Sequence, residues 1–159
     1  MISKATNNEL SAINKLGLVL YDNFINIYDV ENYILNDCYQ VLTYKDETTK
    51  GFLIAYNNID YIELLVIVVD PNYRRLNIGF KLMNYLIDNS DKDILLEVAS
   101  TNDSAIRLYE KCGFKKIGIR EKYYKNSDDA YIMKLVKNEK WYIYFSNWIF
   151  MWWDKYCYC

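Results

Sequence analysis

The residues Val69-Asp70-Pro71-Asn72-Tyr73-Arg74-Arg75-Leu76-Asn77-Ile78-Gly79 have the types and the order to hold a phosphate. The apolar run Ile62 to Val69, broken only by Glu63, reads as a buried strand rich in β-branched residues. A turn signal with the sole proline of the chain follows, then a basic stretch with Asn and Gly, and a helical pattern starts near Ile78. Strand, basic loop and helix start together aim free backbone N–H groups and the positive end of a helix dipole at one point. Arg74 and Arg75 stand beside that point, although two arginines in a turn also fit a plain solvated surface. A second chemical candidate is Glu97, a lone carboxylate in the apolar run Ile94-Leu95-Leu96-Glu97-Val98. Burying a carboxylate is costly unless it is paired, and a carboxyl group in a partly apolar cleft suits general-base work near neutral pH. The competing reading is a solvent-facing strand residue, with Leu96 and Val98 turned to the core.

What the chain lacks narrows the chemistry further. It contains no histidine. Ser-His-Asp and Cys-His mechanisms are therefore excluded, and a general base has to be Asp, Glu, Tyr, Lys, Cys or water. The four cysteines are unevenly placed and form no disulfide framework. Cys38 and Cys112 read as buried thiols, the usual state of a free cysteine. Cys157 and Cys159 stand in an isolated C-x-C, too little for a zinc site, so no metal is expected. The formal net charge of −2 argues against a dedicated nucleic-acid binder. Met1 to Gly17 is polar and mixed, unlike a signal peptide, which makes a cytoplasmic setting the default expectation.

The elements that must position these groups can be read in order. At 159 residues the chain reads as one domain able to bury roughly 70% of its unfolded surface. Asn7 to Tyr21 has the spacing of an amphipathic helix, and a short second helix covers Val30 to Leu35. Strands are expected at Gln40–Tyr44, Gly51–Tyr56 and Tyr61–Val69. A helix follows at Ile78–Ile87, with Ile78, Leu82, Tyr85 and Leu86 on one face. Next come a strand at Ile94–Val98 and a helix at Ser104–Lys111, capped by Asn102 or Asp103 and stopped by Gly113. Strands at Phe114–Ile119 and Ala130–Val136 complete the sheet. The helical crossovers after Val69 and Val98 interrupt a mostly antiparallel series. The fold class is thus α/β (α+β), with a central mixed, mostly antiparallel sheet flanked by helices.

Three blocks in register resemble the GNAT family of acetyl-CoA-dependent N-acetyltransferases. They are the loop from Val69 to Gly79, Leu96-Glu97-Val98-Ala99-Ser100-Thr101-Asn102 with Ala105 to Phe114, and Tyr123-Tyr124 followed by Asp129-Ala130-Tyr131-Ile132-Met133. The resemblance covers about residues 5 to 136 and is to the ribosomal-protein-alanine N-acetyltransferase (RimI) type. It implies a domain over residues 1–137, acetyl-CoA as acetyl donor, and a protein or peptide N-terminus as acceptor, with the N-terminal alanine of a ribosomal protein as the expected case. It implies that the backbone of Ile67, Val68 and Val69 pairs with the pantetheine arm. Arg74, Arg75, Leu76, Asn77, Ile78, Gly79 and Phe80 would form the pyrophosphate cradle, and Asn102 would reach the cofactor arm. By the same resemblance Glu97 is the proton acceptor, Tyr109 the proton donor to the leaving thiolate, and Tyr123 and Tyr124 line the acceptor cleft. A phenol, with its ordinary pKa near ~10, is protonated at neutral pH and suits the donor role. The family pattern has glycine where Asn77 stands; Asn is the non-glycine residue best able to take a positive φ, but its side chain would crowd the pyrophosphate. Other readings of the function are acetylation of a small amine or a lysine side chain, and a non-catalytic CoA-binding module. Residues 138–159 lie beyond the resemblance. Their aromatic stretch, Trp141 to Trp153, is shorter than the ~20 residues that span a bilayer. It stays open between folding back over the domain, a homodimer contact and a peripheral membrane anchor.

Overall fold

The computed structural model describes residues 1–20, 24–124 and 127–137. Seven strands form one sheet: β1 (Ile2–Lys4), β2 (Tyr39–Lys45), β3 (Thr49–Asn57), β4 (Tyr61–Val69), β5 (Asp93–Ala99), β6 (Lys115–Arg120) and β7 (Ala130–Leu135). Their spatial order is β1-β2-β3-β4-β5-β7-β6. The pair β4–β5 is parallel and every other pair antiparallel, so the sheet is mixed and mostly antiparallel. Five helices cover it: α1 (Leu10–Gly17), α2 (Phe24–Ile27), α3 (Val30–Leu35), α4 (Ile78–Asp88) and α5 (Asp103–Lys111). The helix α4 makes the crossover between the parallel strands. The helix α5 carries the chain to the far edge, leaving one strand position that β7 then fills.

Each face of the sheet has its own core. On one, α4 and α5 bury Ile78, Leu82, Met83, Leu86 and Tyr109 against Leu53, Leu64, Ile94, Leu96, Val98 and Met133. On the other, α1 to α3 bury Ile13, Leu16, Phe24 and Val30 against Val41, Phe52, Ile54, Val66 and Val68. Fully burying side chains of this size contributes ~1.5–3 kcal/mol each, which is how helices of six to eleven residues persist. The buried face of α4 is rotated from the sequence expectation. Met83 is fully buried, whereas Tyr85 is only half-buried.

Other departures have local causes. The predicted helix over Asn7–Tyr21 begins as a 3₁₀ turn, Asn7–Glu9, and its α-helical part ends at Gly17. There the ring of Phe24 packs directly on the Gly17 backbone, where a Cβ would collide with it. The short strand β1 and helix α2 escape the sequence reading because each is too brief to show a period. Cys38 is exposed, contrary to the burial expected of it, and Cys112 is partly buried. Cys38 sits in the turn entering β2, where its N–H donates to Asn36 Oδ1 rather than to the sheet. The tail, including Trp141 to Trp153, lies outside the described residues.

The entry to α1 is fixed electrostatically. Thr6 and Glu9 form a reciprocal capping box, and Glu9 is also paired with Lys45 of β2. The hydrogen bond from Lys45, followed by those from Thr6, holds the Glu9 carboxyl down at about 2 from an ordinary 4.5. A carboxyl depressed on folding stabilises the protein above its unfolded pKa and loses that contribution as pH falls towards the folded one. Glu9→Gln is therefore expected to lower the melting temperature at pH 7. The gap to wild type should close between about pH 4.5 and pH 2. Thermal melts across that range check this; a gap independent of pH would refute it.

Candidate functional site

The site begins with one extra residue. Along β3 the partners on β4 jump from Val66, opposite Ile54, to Leu64, opposite Ala55, so Leu65 bulges out of the ladder. The bulge switches the alternation of β4. Ile62 and Leu64 face the α4/α5 core, whereas Val66 and Val68 face the α1–α3 core. On its other side β4 pairs with β5 only from Tyr61/Asp93 to Leu64/Leu96. Beyond that point the two strands part, and Ile67, Val68 and Val69 keep ladder partners on β3 alone. A parted pair of strands offers unspent backbone N–H and C=O groups to an extended, amide-bearing ligand. The phenol of Tyr28 reaches the bulge itself, its hydroxyl donating to the Leu65 carbonyl at 3.4 Å.

The parted end of β4 leads into the loop. Asp70 caps a 3₁₀ turn, Pro71–Tyr73, through its carboxylate and Asn72 N–H. Arg75 (φ 63°) and Asn77 (φ 59°) then take left-handed backbone conformations, which the sequence reading anticipated only for Asn77. No side chain caps α4. Its first ladder bond runs from Lys81 N–H to the Asn77 carbonyl, so the N–H groups of Ile78, Gly79 and Phe80 lie in the uncapped first turn. Gly79 lets that turn approach α5, since a Cβ there would sit 3.2 Å from the Leu108 side chain. Leu76 is exposed at the loop tip, and Arg74 folds back with Nε 3.5 Å from the Val69 carbonyl. The loop is stitched down by a residue the sequence reading missed. Lys50, 9% exposed, donates to the Tyr73 hydroxyl at 2.8 Å and to Thr48 at 2.7 Å. The bond to Tyr73, more than its pairing with Asp46, raises the Lys50 pKa.

Glu97 lies on the face of β5 away from α4 and α5, because Leu96 and Val98 point into that core. It is not buried in apolar surroundings as the run of its neighbours suggested. Its side chain is 24% exposed, and its Oε1 lies 3.0 Å from Arg120 Nε. The Glu97 carboxylate beside Tyr123 raises the Tyr123 pKa, with a smaller push from Glu63. Tyr123 meets Tyr124 edge-on at 5.2 Å. Asp129 shapes this loop by accepting from Lys122 N–H, while Asp128 accepts from Thr101 next to the start of α5. The structure thus gathers Glu97, Tyr123 and Tyr124 as expected and adds Arg120 and Glu63. Glu63 was visible only as the one polar break in its strand, and Arg120 left no sequence signal. Tyr109 is 6% exposed in the α4/α5 core, its ring 5.9 Å from Phe114, and so lies on the opposite face of β5 from Glu97. Asn102 caps α5 with its side-chain oxygen on Ala105 N–H, which leaves its amide end as the part suited to reach a ligand.

Residues 17–114, more than half of the chain, match the acetyltransferase (GNAT) family. The chain belongs to the GNAT family. Its match to the ribosomal protein bS18-alanine N-acetyltransferase of Escherichia coli K12 is 41% identical over 92 residues, covering 54% of this chain and 62% of that protein. The N-alpha-acetyltransferase RimI of Mycobacterium tuberculosis is 36% identical over 94 residues, covering 53% and 60%. The matched stretch thus spans about three fifths of these curated relatives. The crystal structure of the ribosomal-protein-S18-alanine N-acetyltransferase from Escherichia coli superposes with a TM-score of 0.72 at 28% identity, over 86% of this chain and 92% of that one. Within this GNAT domain the Lys50–Tyr73 bond and the bond from Asp70 N–H to the Lys50 carbonyl join the loop from Asp70 to Gly79 to β3. Lys50→Met should expose Arg74 and Arg75 to trypsin several-fold faster than wild type under native conditions. Mass spectrometry of the first fragments reads this, and unchanged cleavage there would show that the loop is held by other contacts.

Proposed function

We propose that this chain is an acetyl-CoA-dependent N-acetyltransferase of the cytoplasm. It transfers the acetyl group directly to a protein N-terminal amine, with the N-terminal alanine of a ribosomal protein as the first candidate acceptor. The observation that carries the reading is the parting of β4 from β5 at Leu64/Leu96, which runs straight into an uncapped helix N-terminus. The residues fit the donor. Ile67, Val68 and Val69 offer strand backbone to the amide-bearing arm. Arg74, Arg75, Leu76, Asn77, Ile78, Gly79 and Phe80 offer N–H groups, a helix dipole and two cations to a pyrophosphate. Asn102 offers an amide at the start of α5. Bound acetyl-CoA supplies an acetyl group already activated as a thioester.

The chain's own part is to aim a neutral amine, accept its proton and supply one to the leaving sulfur. We assign Glu97 as the acceptor, directly or through water, because it is the carboxylate next to the parting and beside the aromatic pair Tyr123 and Tyr124. Those rings are suited to line the bound acceptor peptide. Tyr109 is assigned as the proton donor. Transfer without an acyl-enzyme is supported by Cys112, whose thiol burial pushes up to about 11, too far for it to serve as a thiolate nucleophile near neutral pH. The similarity to proteins named as bS18-alanine and N-alpha-acetyltransferases supports the choice of an N-terminal acceptor.

Release of CoA from acetyl-CoA, measured over peptides that differ in their first residue and over free amines, tests the assignment. Release confined to Ala- or Ser-starting peptides is expected. Release with lysine side chains or polyamines alone would move the acceptor to those amines, and CoA binding without any release would point to a non-catalytic module. A second expectation concerns the loop. Asn77 stands where the family pattern has glycine, and its side chain adds bulk at a left-handed position beside the cradle. Asn77→Gly should tighten acetyl-CoA binding in titration calorimetry; weaker binding would show that the side chain helps to hold the donor.

A further inference from the structure

The proposed base is not a free carboxylate. Arg120 Nε lies 3.0 Å from Glu97 Oε1, and the same carboxylate holds the Tyr123 pKa up. The guanidinium carbon of Arg120 also lies 5.5 Å from the centre of the Tyr123 ring. Arg120 therefore stands against both the carboxylate and the ring of the residue assigned to the acceptor side.

The register shows why this contact needs an arginine. Glu97 on β5 is opposite Ile132 on β7, and Ile132 is opposite Gly118 on β6. Arg120 stands two residues beyond Gly118, opposite Ala130, which is opposite Ala99. The ion pair thus spans two strand spacings, roughly 10 Å between backbones. It crosses a strip where β7 and β6 carry only Ala130 and Gly118 beside Ile132. A long side chain with a planar, directional donor can bridge that distance and still fix the acceptor's orientation. Glu63, on the neighbouring strand, pushes the Tyr123 pKa upwards as Glu97 does, and Arg120 works against both.

We propose that Arg120 is a positioning residue for the transfer: it holds the Glu97 carboxylate in one orientation and ties it to Tyr123 on the acceptor loop. It does not touch the reacting atoms. By occupying Oε1 it fixes where the other carboxylate oxygen points, and by lying against Tyr123 it sets that loop relative to the base. This rests on the assignment of Glu97 as proton acceptor.

The test uses the full chain and an Ala-starting peptide, with wild type, Arg120→Gln, Arg120→Lys, Glu97→Gln and the double variant. Arg120→Gln should lower kcat by about tenfold to a hundredfold, the loss that misplacement of a catalytic group brings. The KM for acetyl-CoA and the melting temperature should stay near wild type, because Arg120 is half-exposed and stands on β6, three places along the sheet from the β4 strand that leads into the loop of Arg74 to Phe80. Arg120→Lys should recover part of the loss. The double variant should be no slower than Glu97→Gln alone, since a carboxylate that is gone cannot be misplaced. Full activity of Arg120→Gln, or losses that multiply in the double variant, would overturn the role of Arg120 while leaving Glu97 in place. Full activity of Glu97→Gln, or no turnover of the peptide by wild type, would instead remove the functional reading and this inference with it.

Discussion

One extra residue in β4 conditions everything around it. A sheet ladder tolerates no half-steps, so inserting Leu65 bends the strand and reverses which side chains face which core. It also ends the pairing with β5 within one residue of Leu64. Losing those ladder bonds is costly where backbone groups are shielded from water, because each unmade bond to a buried group costs ~1–3 kcal/mol. The two-core arrangement offsets this. Leu64 is buried on one side of the sheet and Val66 on the other, so both halves of the broken strand remain anchored by apolar contacts. The Tyr28 hydroxyl takes up the carbonyl at the break. An opening in the backbone is thereby maintained by side chains that never face it.

The electrostatics follow the same division. At the loop end, positive potential comes from backbone rather than from dense basic residues. It comes from an uncapped α4 and two left-handed residues, with a net charge of only −2 over the whole chain. Lys50 serves the loop from beneath, as a buried anchor on Tyr73. At the acceptor end the sign is reversed. Glu63 and Glu97 face the same side of adjacent strands, and Arg120 offsets them from the far edge of the sheet. The two ends of the β4–β5 gap thus carry opposite fields a few residues apart along one pair of strands.

The parts legible in the sequence were those encoded by neighbours. The sequence of the loop specified its turn, its helix start and the positive φ of Asn77, and Asn102 announced itself as a cap. The crossover order and the mostly antiparallel sheet followed from runs long enough to show a period. What escaped was set by distance in the chain. Leu65 is one apolar residue in a uniform apolar run, and nothing local marks it as the one left out of register. Arg120 meets Glu97 across the intervening β7, a topological fact that pairs no sequence neighbours. Cys38 departs from the usual burial of a free thiol because Asn36, Asp37 and Gln40 around it make a polar turn that faces solvent. Glu97 was recognised as unusual for burial, but its partners, rather than burial, make it unusual.

The placement of Glu97 and Tyr109 on opposite faces of β5 has a consequence for traffic. If they take the roles proposed, the two can serve one reaction only through the gap that opens beyond Leu64 and Leu96, so the width of that gap, rather than either side chain, limits which acceptors reach the thioester.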